Sequence, residues 1–191
     1  MSPSIRTTTT TTTTTATSSR AAAAVPIDDE WFGDQVHDWN EIRHLVSNNK
    51  VQQLRRNREG QRVYRHWTET TLSKYKDIED FLLSEKLHFP TEEPADPTRP
   101  HYIVLPNDFP YSTEPGTKHV LIWSQKPLSE PYVREILESH YGSNNWEWVY
   151  FVNPPETQSV KRLPHVHVFM RPRTANNANA NATAAATADK K

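Results

Sequence analysis

The segment His165-Val166-His167-Val168-Phe169-Met170 alternates strictly between two kinds of side chain. The two-residue period of a strand places both imidazoles and Phe169 on one face and Val166, Val168 and Met170 on the other. Histidines at i and i+2 project together, as a nucleophile with a helper or as two metal ligands would. A hydrogen-bonded or solvent-facing pair fits the same two residues equally well, so the neighbours must decide. The loop feeding the strand, 153–164, holds Asn153, Gln158, Ser159, Lys161 and Arg162 within twelve residues. Those neutral donors and cations could hold an anionic group over the histidines. A second polar loop, Pro106-Asn107-Asp108-Phe109-Pro110-Tyr111, precedes Gly116 to His119. Asn107 there can cap or turn the backbone, and Phe109 and Tyr111 can plug the core beneath. A divalent metal is the alternative: His101, His119, His165 and His167 could bind zinc, iron or manganese if their strands pair suitably.

These residues need a scaffold, and composition limits what it can be. Among 191 residues, Thr7 to Thr15 is an unbroken threonine run, and Thr174 to Ala188 is built only from Thr, Ala and Asn. Neither stretch offers enough apolar surface to offset the entropy of ordering it. The expected organisation is a tail over 1–28, one α+β domain over 29–172 and a second tail over 173–191. Setting aside Arg6, Arg20, Asp189, Lys190 and Lys191 leaves 18 basic and 22 acidic residues, a net charge of −4. That balance disfavours a nucleic-acid partner, which calls for a basic surface. With no cysteine, disulfides, thiol catalysis and thiolate-bound zinc are impossible. No apolar run approaches the roughly 20 residues of a membrane span. The acid-free stretch before Asp28 is compatible with a mitochondrial presequence, but a threonine homopolymer has no apolar face for import receptors. The cytosol, with access to the nucleus, is expected ahead of the mitochondrion.

The first half reads as helical. Asp38 and Glu41 have capping-box spacing before the Trp39, Ile42, Leu45 and Val46 face. Tyr64, Trp67, Thr71, Leu72 and Tyr75 recur at helical intervals as core aromatics, and Asp77 can cap a segment presenting Ile78, Phe81 and Leu82. Prolines at 90, 94, 97 and 100 impose an extended connection. Strands are expected at 101–105, 119–123, 146–152 and 165–170, with a helix at 130–140 between the second and third. The predicted fold is therefore N-terminal helices followed by a mainly antiparallel sheet in β-β-α-β-β order.

Asn107 to Tyr111, Gly116, His119 to Trp123, Phe151-Val152-Asn153-Pro154 and Ser159-Val160, running into His165-Val166-His167, together resemble a fungal family known as the N-acetylglucosamine-induced protein family. The resemblance covers roughly residues 36 to 172. The name reports when a gene is expressed and identifies no reaction. A more distant similarity is to the histidine-triad (HIT) superfamily of nucleotidyl hydrolases and transferases. There an Asn and Phe-Pro-Tyr-like stretch, a Gly-His before a strand, a helix and an HxHxH or HxHxQ strand occur in this order. That resemblance implies an HIT-like fold and makes His167 the nucleophile and His165 the supporting histidine. It also places Asn153 and Ser159 near a phosphate, with Asn107, Tyr111, His119 and Gln158 as further contacts. The implied activity is a histidine-dependent nucleotidyl or phosphoryl hydrolase or transferase needing no cofactor. Its partner would be a small phosphorylated ligand: a nucleotide, nucleotide sugar or phosphosugar. Three departures stand out. Arg162-Leu163-Pro164 lengthens the approach to the strand, Thr117 and Lys118 separate Gly116 from His119, and Phe169 occupies the third triad position. The competing expectation is thus a binding module that keeps the pocket without the chemistry.

Overall fold

The computed structural model describes residues 33–173, so the expectations for 1–28 and for 174–191 lie outside the described residues. Three helices come first: α1 Trp39–Ser47, α2 Arg58–Thr70 and α3 Ile78–Glu85. They are followed by β1 Tyr102–Pro106, β2 Lys118–Ser124, α4 Glu130–Tyr141, β3 Trp146–Phe151 and β4 His165–Pro172. Among the described residues no helix is long and apolar enough to cross a membrane.

Side-chain caps start the three N-terminal helices. Asp38 accepts from Glu41 N–H at 2.8 Å, Asn57 from Gly60 N–H at 2.8 Å and Asp77 from Asp80 N–H at 2.8 Å. The return leg expected of a capping box at α1 is not made. The Glu41 carboxylate instead accepts from Gln35 at 3.0 Å and lies 3.2 Å from the His37 ring. The continuous helical stripe expected from Tyr64 to Tyr75 is interrupted: α2 ends at Thr70, and Leu72–Lys74 forms a short 3₁₀ turn. Periodicity alone could not show that break, because a 3₁₀ turn keeps the three-residue spacing of the apolar positions. α4 starts after Ser129 with Pro131 in its first turn and ends at Gly142, whose φ of 73° suits a residue without a Cβ.

The four strands form one antiparallel sheet in the order β1-β2-β4-β3. β4 lies between β2 and β3, antiparallel to both, so those two run parallel and need the crossover that α4 supplies. The register sets Leu121 and Phe151 on either side of His167, Trp123 beside His165, and His119 beside Phe169.

Alternation divides β2 and β4 between two cores. Val120, Ile122, Val166, Val168 and Met170 pack against Val133, Ile136 and Leu137 of α4. On the other face, Phe169 and Phe151 meet Trp39, Ile42 and Leu45 of α1, while Leu121 and Trp123 meet Phe81 and Leu82 of α3. The histidine face is thus covered by the N-terminal helices. The cap and core contributions differ enough to be measured separately. Leu137, fully buried, should cost about 2–5 kcal/mol as Leu137→Ala through lost burial and a cavity. Asp38→Ala should cost about 1 kcal/mol through the lost cap. Urea titrations with unchanged slopes would give both values, and a Leu137→Ala cost no larger than that of Asp38→Ala would contradict this packing.

Candidate functional site

A cavity of about 350 Å³ lies between the histidine face of the sheet and the N-terminal helices. The sheet side and its loops contribute Asn107, Asp108, Phe109, Tyr111, Leu121, Trp123, His165 and His167. The 153–164 loop adds Asn153, Thr157, Ser159 and Val160, and the helical half adds Arg56, Tyr64, Trp67, Phe81 and Lys86. That loop is clamped to α3. Glu79 accepts from the backbone N–H groups of Lys161 and Arg162 at 3.2 and 2.8 Å and from the Arg162 guanidinium, which also reaches Asp77 at 3.0 Å. These bonds hold the Glu79 carboxyl below the usual range, the Arg162 side chain contributing most.

His165 and His167 emerge side by side as expected, their ring centres 5.3 Å apart. Both are buried, at 7% and 6% exposure. His167 is stacked between Phe151, at 5.1 Å and 6°, and Tyr111, at 5.8 Å and 14°. Its Nδ1 lies 3.0 Å from His119 Nε2, and its Nε2 lies 3.0 Å from the Asn153 side-chain amide. Tyr111 N–H donates to His119 Nδ1 at 3.2 Å, and the Asn107 amide sits 3.4 Å from the same ring. His165 Nδ1 lies 2.9 Å from the Leu163 carbonyl oxygen.

These rings are neutral at physiological pH. Burial pushes His167 down to about 3, and the positive potential of His165 and Arg56 adds to it. Burial likewise holds His119 well below its ordinary value, helped by His167 and Arg56. His165 is lowered by burial against an opposing contribution from its bond to Leu163.

Of the residues singled out in the sequence, Asn107, Tyr111, Asn153, Ser159, His165 and His167 line the cavity. His119 does not: it stands behind His167 and acts on it through the 3.0 Å ring contact. Gln158 also turns away, donating to the Asn153 carbonyl at 2.7 Å. The four-histidine metal set is not assembled. His101 is bonded to the Glu92 carbonyl at 2.9 Å, and the facing nitrogens of His119 and His167 occupy each other. Among the described residues no group of three or more His, Asp or Glu side chains is arranged to hold a metal ion.

Sequence reasoning missed Arg56, Lys86 and the aromatic wall of the helical half. Arg56 donates through Nε to the Phe109 carbonyl at 2.9 Å and lies over the Tyr64 ring at 4.4 Å. Burial lowers its pKa, partly offset by Tyr111 and Tyr64, and the guanidinium stays charged. Among the described residues no carboxylate pairs with it, whereas Lys86 pairs with Asp108 and Arg162 with Glu79 and Asp77. The available signal was an arginine one residue before the Asn57 cap of the helix whose face carries Tyr64 and Trp67. Core packing explains that pattern as well.

The neutral histidines carry a stability signature. Unfolded histidine titrates near 6.5, whereas folded His119, His165 and His167 are all depressed. Above that pH neither state binds the protons. As pH falls below it, the unfolded state protonates first, so stability declines by up to about 1.4 kcal/mol per pH unit for each ring. For His167 the loss continues until pH nears its folded value of about 3. Urea unfolding at pH 7 and pH 5 should show a clear fall, and equal stabilities would contradict buried neutral rings.

A solved structure described as "Crystal Structure of HTC1" superposes with a TM-score of 0.54 at 26% sequence identity, over 76% of this chain and 93% of that one. "Uncharacterized protein YPL067C" of Saccharomyces cerevisiae is 28% identical over 162 residues, covering 69% of this chain and 77% of its own. "N-acetylglucosamine-induced protein 1" of Candida albicans is 24% identical over 171 residues, covering 70% and 67%. The model of the family "Protein of unknown function (DUF3605)" matches residues 38–131 and 129–171, spanning all four helices, the sheet and the cavity between them. The chain therefore belongs to the DUF3605 family.

Proposed function

We propose that this chain is a binding module for a small phosphorylated ligand, held in the cavity between the N-terminal helices and the histidine face of the sheet. The observation that carries the reading is Arg56: a half-buried guanidinium on the cavity wall, with no carboxylate paired to it among the described residues. A cation drawn out of water is costly unless an anion meets it, and a phosphate accepts the fork of a guanidinium in bidentate fashion. Lys86 stands on the same wall, held by Asp108, and the Asn153 and Ser159 side chains supply neutral polar contacts. Tyr64, Trp67, Phe81, Phe109 and Trp123 form the apolar remainder, suited to the face of a base or a sugar ring. A cavity of about 350 Å³ suits a ligand of nucleotide or phosphosugar size. The printed name of the Candida relative concerns induction by an amino sugar, so phosphorylated amino sugars belong in the first panel tested.

A second reading is a histidine-dependent nucleotidyl or phosphoryl hydrolase or transferase of HIT-like type. The placement of His165, His167, Asn153 and Ser159 around one cavity favours it. Against it, Phe169 is fully buried in the α1 core and offers no third polar group. Binding ranks first because it asks nothing of that position.

Thermal-shift measurements with nucleotides, nucleotide sugars and phosphosugars test the reading. A ligand at a hundred times its dissociation constant adds about 2.7 kcal/mol to stability. Arg56→Met, which keeps the stem that packs on Tyr64, should abolish the shift. Stabilisation without turnover supports a binder, turnover supports the second reading, and no shift across the panel removes both.

A further inference from the structure

Backbone groups fix the protons of the three clustered histidines, because a peptide N–H can only donate and a carbonyl oxygen can only accept. Tyr111 N–H enters His119 Nδ1 at 3.2 Å, so neutral His119 carries its proton on Nε2. That proton points at His167 Nδ1, 3.0 Å away, so neutral His167 carries its own on Nε2, facing Asn153. Asn153 Nδ2 is the atom 3.0 Å from this nitrogen. Donors entering both ends of a two-imidazole chain would leave one proton too many. A side-chain amide can turn over and a peptide cannot, so Asn153 meets Nε2–H with Oδ1. His165 is set the other way. The Leu163 carbonyl 2.9 Å from its Nδ1 requires the proton there, which leaves the lone pair on Nε2. That nitrogen has no bond to another described residue and is not sealed from solvent, so it opens on the cavity that His165 lines.

We infer that His165, and not His167, is the imidazole that accepts a proton or hydrogen bond from a bound ligand, while His167 is a fixed donor whose orientation His119 sets as a positioning residue. The ligand accordingly presents an O–H or N–H group to His165, while His167 gives its Nε2–H to Asn153. A phosphomonoester with a hydroxyl near its phosphate supplies that donor and places its anion in the cavity that Arg56 lines. This goes beyond the binding reading and reverses the roles that the histidine-triad resemblance implies: any attack on phosphorus from this cavity would come from His165.

The test is a long-range ¹H–¹⁵N correlation spectrum of the full chain labelled with ¹⁵N-histidine, which reports which ring nitrogen bears the proton. The expected result is Nδ1–H for His165 and Nε2–H for His119 and His167. His167 with its proton on Nδ1, or His165 with its proton on Nε2, would overturn the inference. Diethyl pyrocarbonate acylates an unprotonated ring nitrogen, so peptide mapping should find His165 modified well ahead of His167. Equal modification of the two in the parent protein would also overturn it. In His119→Phe the donor to His167 is lost and His167 should gain reactivity, whereas His119→Gln, which keeps a donor, should restore the parent pattern. Should His119→Phe fail to fold, the parent spectrum and mapping still decide. A phosphorylated panel that produces no thermal shift would sink the binding reading and leave these proton positions unchanged, so the two failures are distinguishable.

Discussion

Burial of β4 on both faces is the constraint from which the rest follows. A central strand flanked by β2 and β3, with α4 beneath and α1 and α3 above, has no solvent to offer a polar side chain. A buried polar group without a partner costs about 1–3 kcal/mol. His165 and His167 persist there because Leu163 satisfies one nitrogen of the first, and His119 and Asn153 satisfy both nitrogens of the second. The remaining nitrogen of His165 faces the cavity. Structural need thus orients the rings, and the cavity inherits their orientation.

The cavity joins two halves of the chain that are far apart in sequence. Its donors and imidazoles come from the sheet and its loops, and its unpaired cation and half of its aromatic wall come from α2, α3 and the residue pair preceding α2. The Glu79 clamp ties the halves together by bonding α3 to the loop that carries Asn153 and Ser159. Arg56 stays charged at the edge of a low-dielectric space, so it lowers the basicity of His119 and His167 while offering an anion its strongest attraction. One guanidinium therefore serves two ends: it adds to the burial that keeps His119 and His167 neutral, and it offers a counter-charge to the ligand proposed above.

Much of this was legible in local pattern. The alternation in His165 to Met170 placed the histidines on one face, and Asp38 and Asp77 marked helix starts correctly, because strand period and capping depend only on near neighbours. The element order and the polar loops flanking the histidines could also be read. Long-range packing could not. Nothing in the sequence says that α1 and α3 cover the histidine face, that α2 stops at Thr70, or that Arg56 lands within reach of Tyr111. His119 looked like a ligand contact because its position relative to His167 depends on strand register. The pairing of Leu121 with His167 sets His119 diagonally behind that ring instead of on the cavity wall.

The account stands on three imidazoles kept uncharged by burial. The most direct measurement is a proton NMR titration of the histidine Cε1–H signals between pH 8 and pH 5 in the folded chain. The signals of His119 and His167 should hold their positions throughout, and that of His165 should move only with a midpoint below the ordinary histidine value. A shift of the His167 signal with a midpoint near the ordinary histidine value of about 6.5 would show a ring open to water and contradict the account.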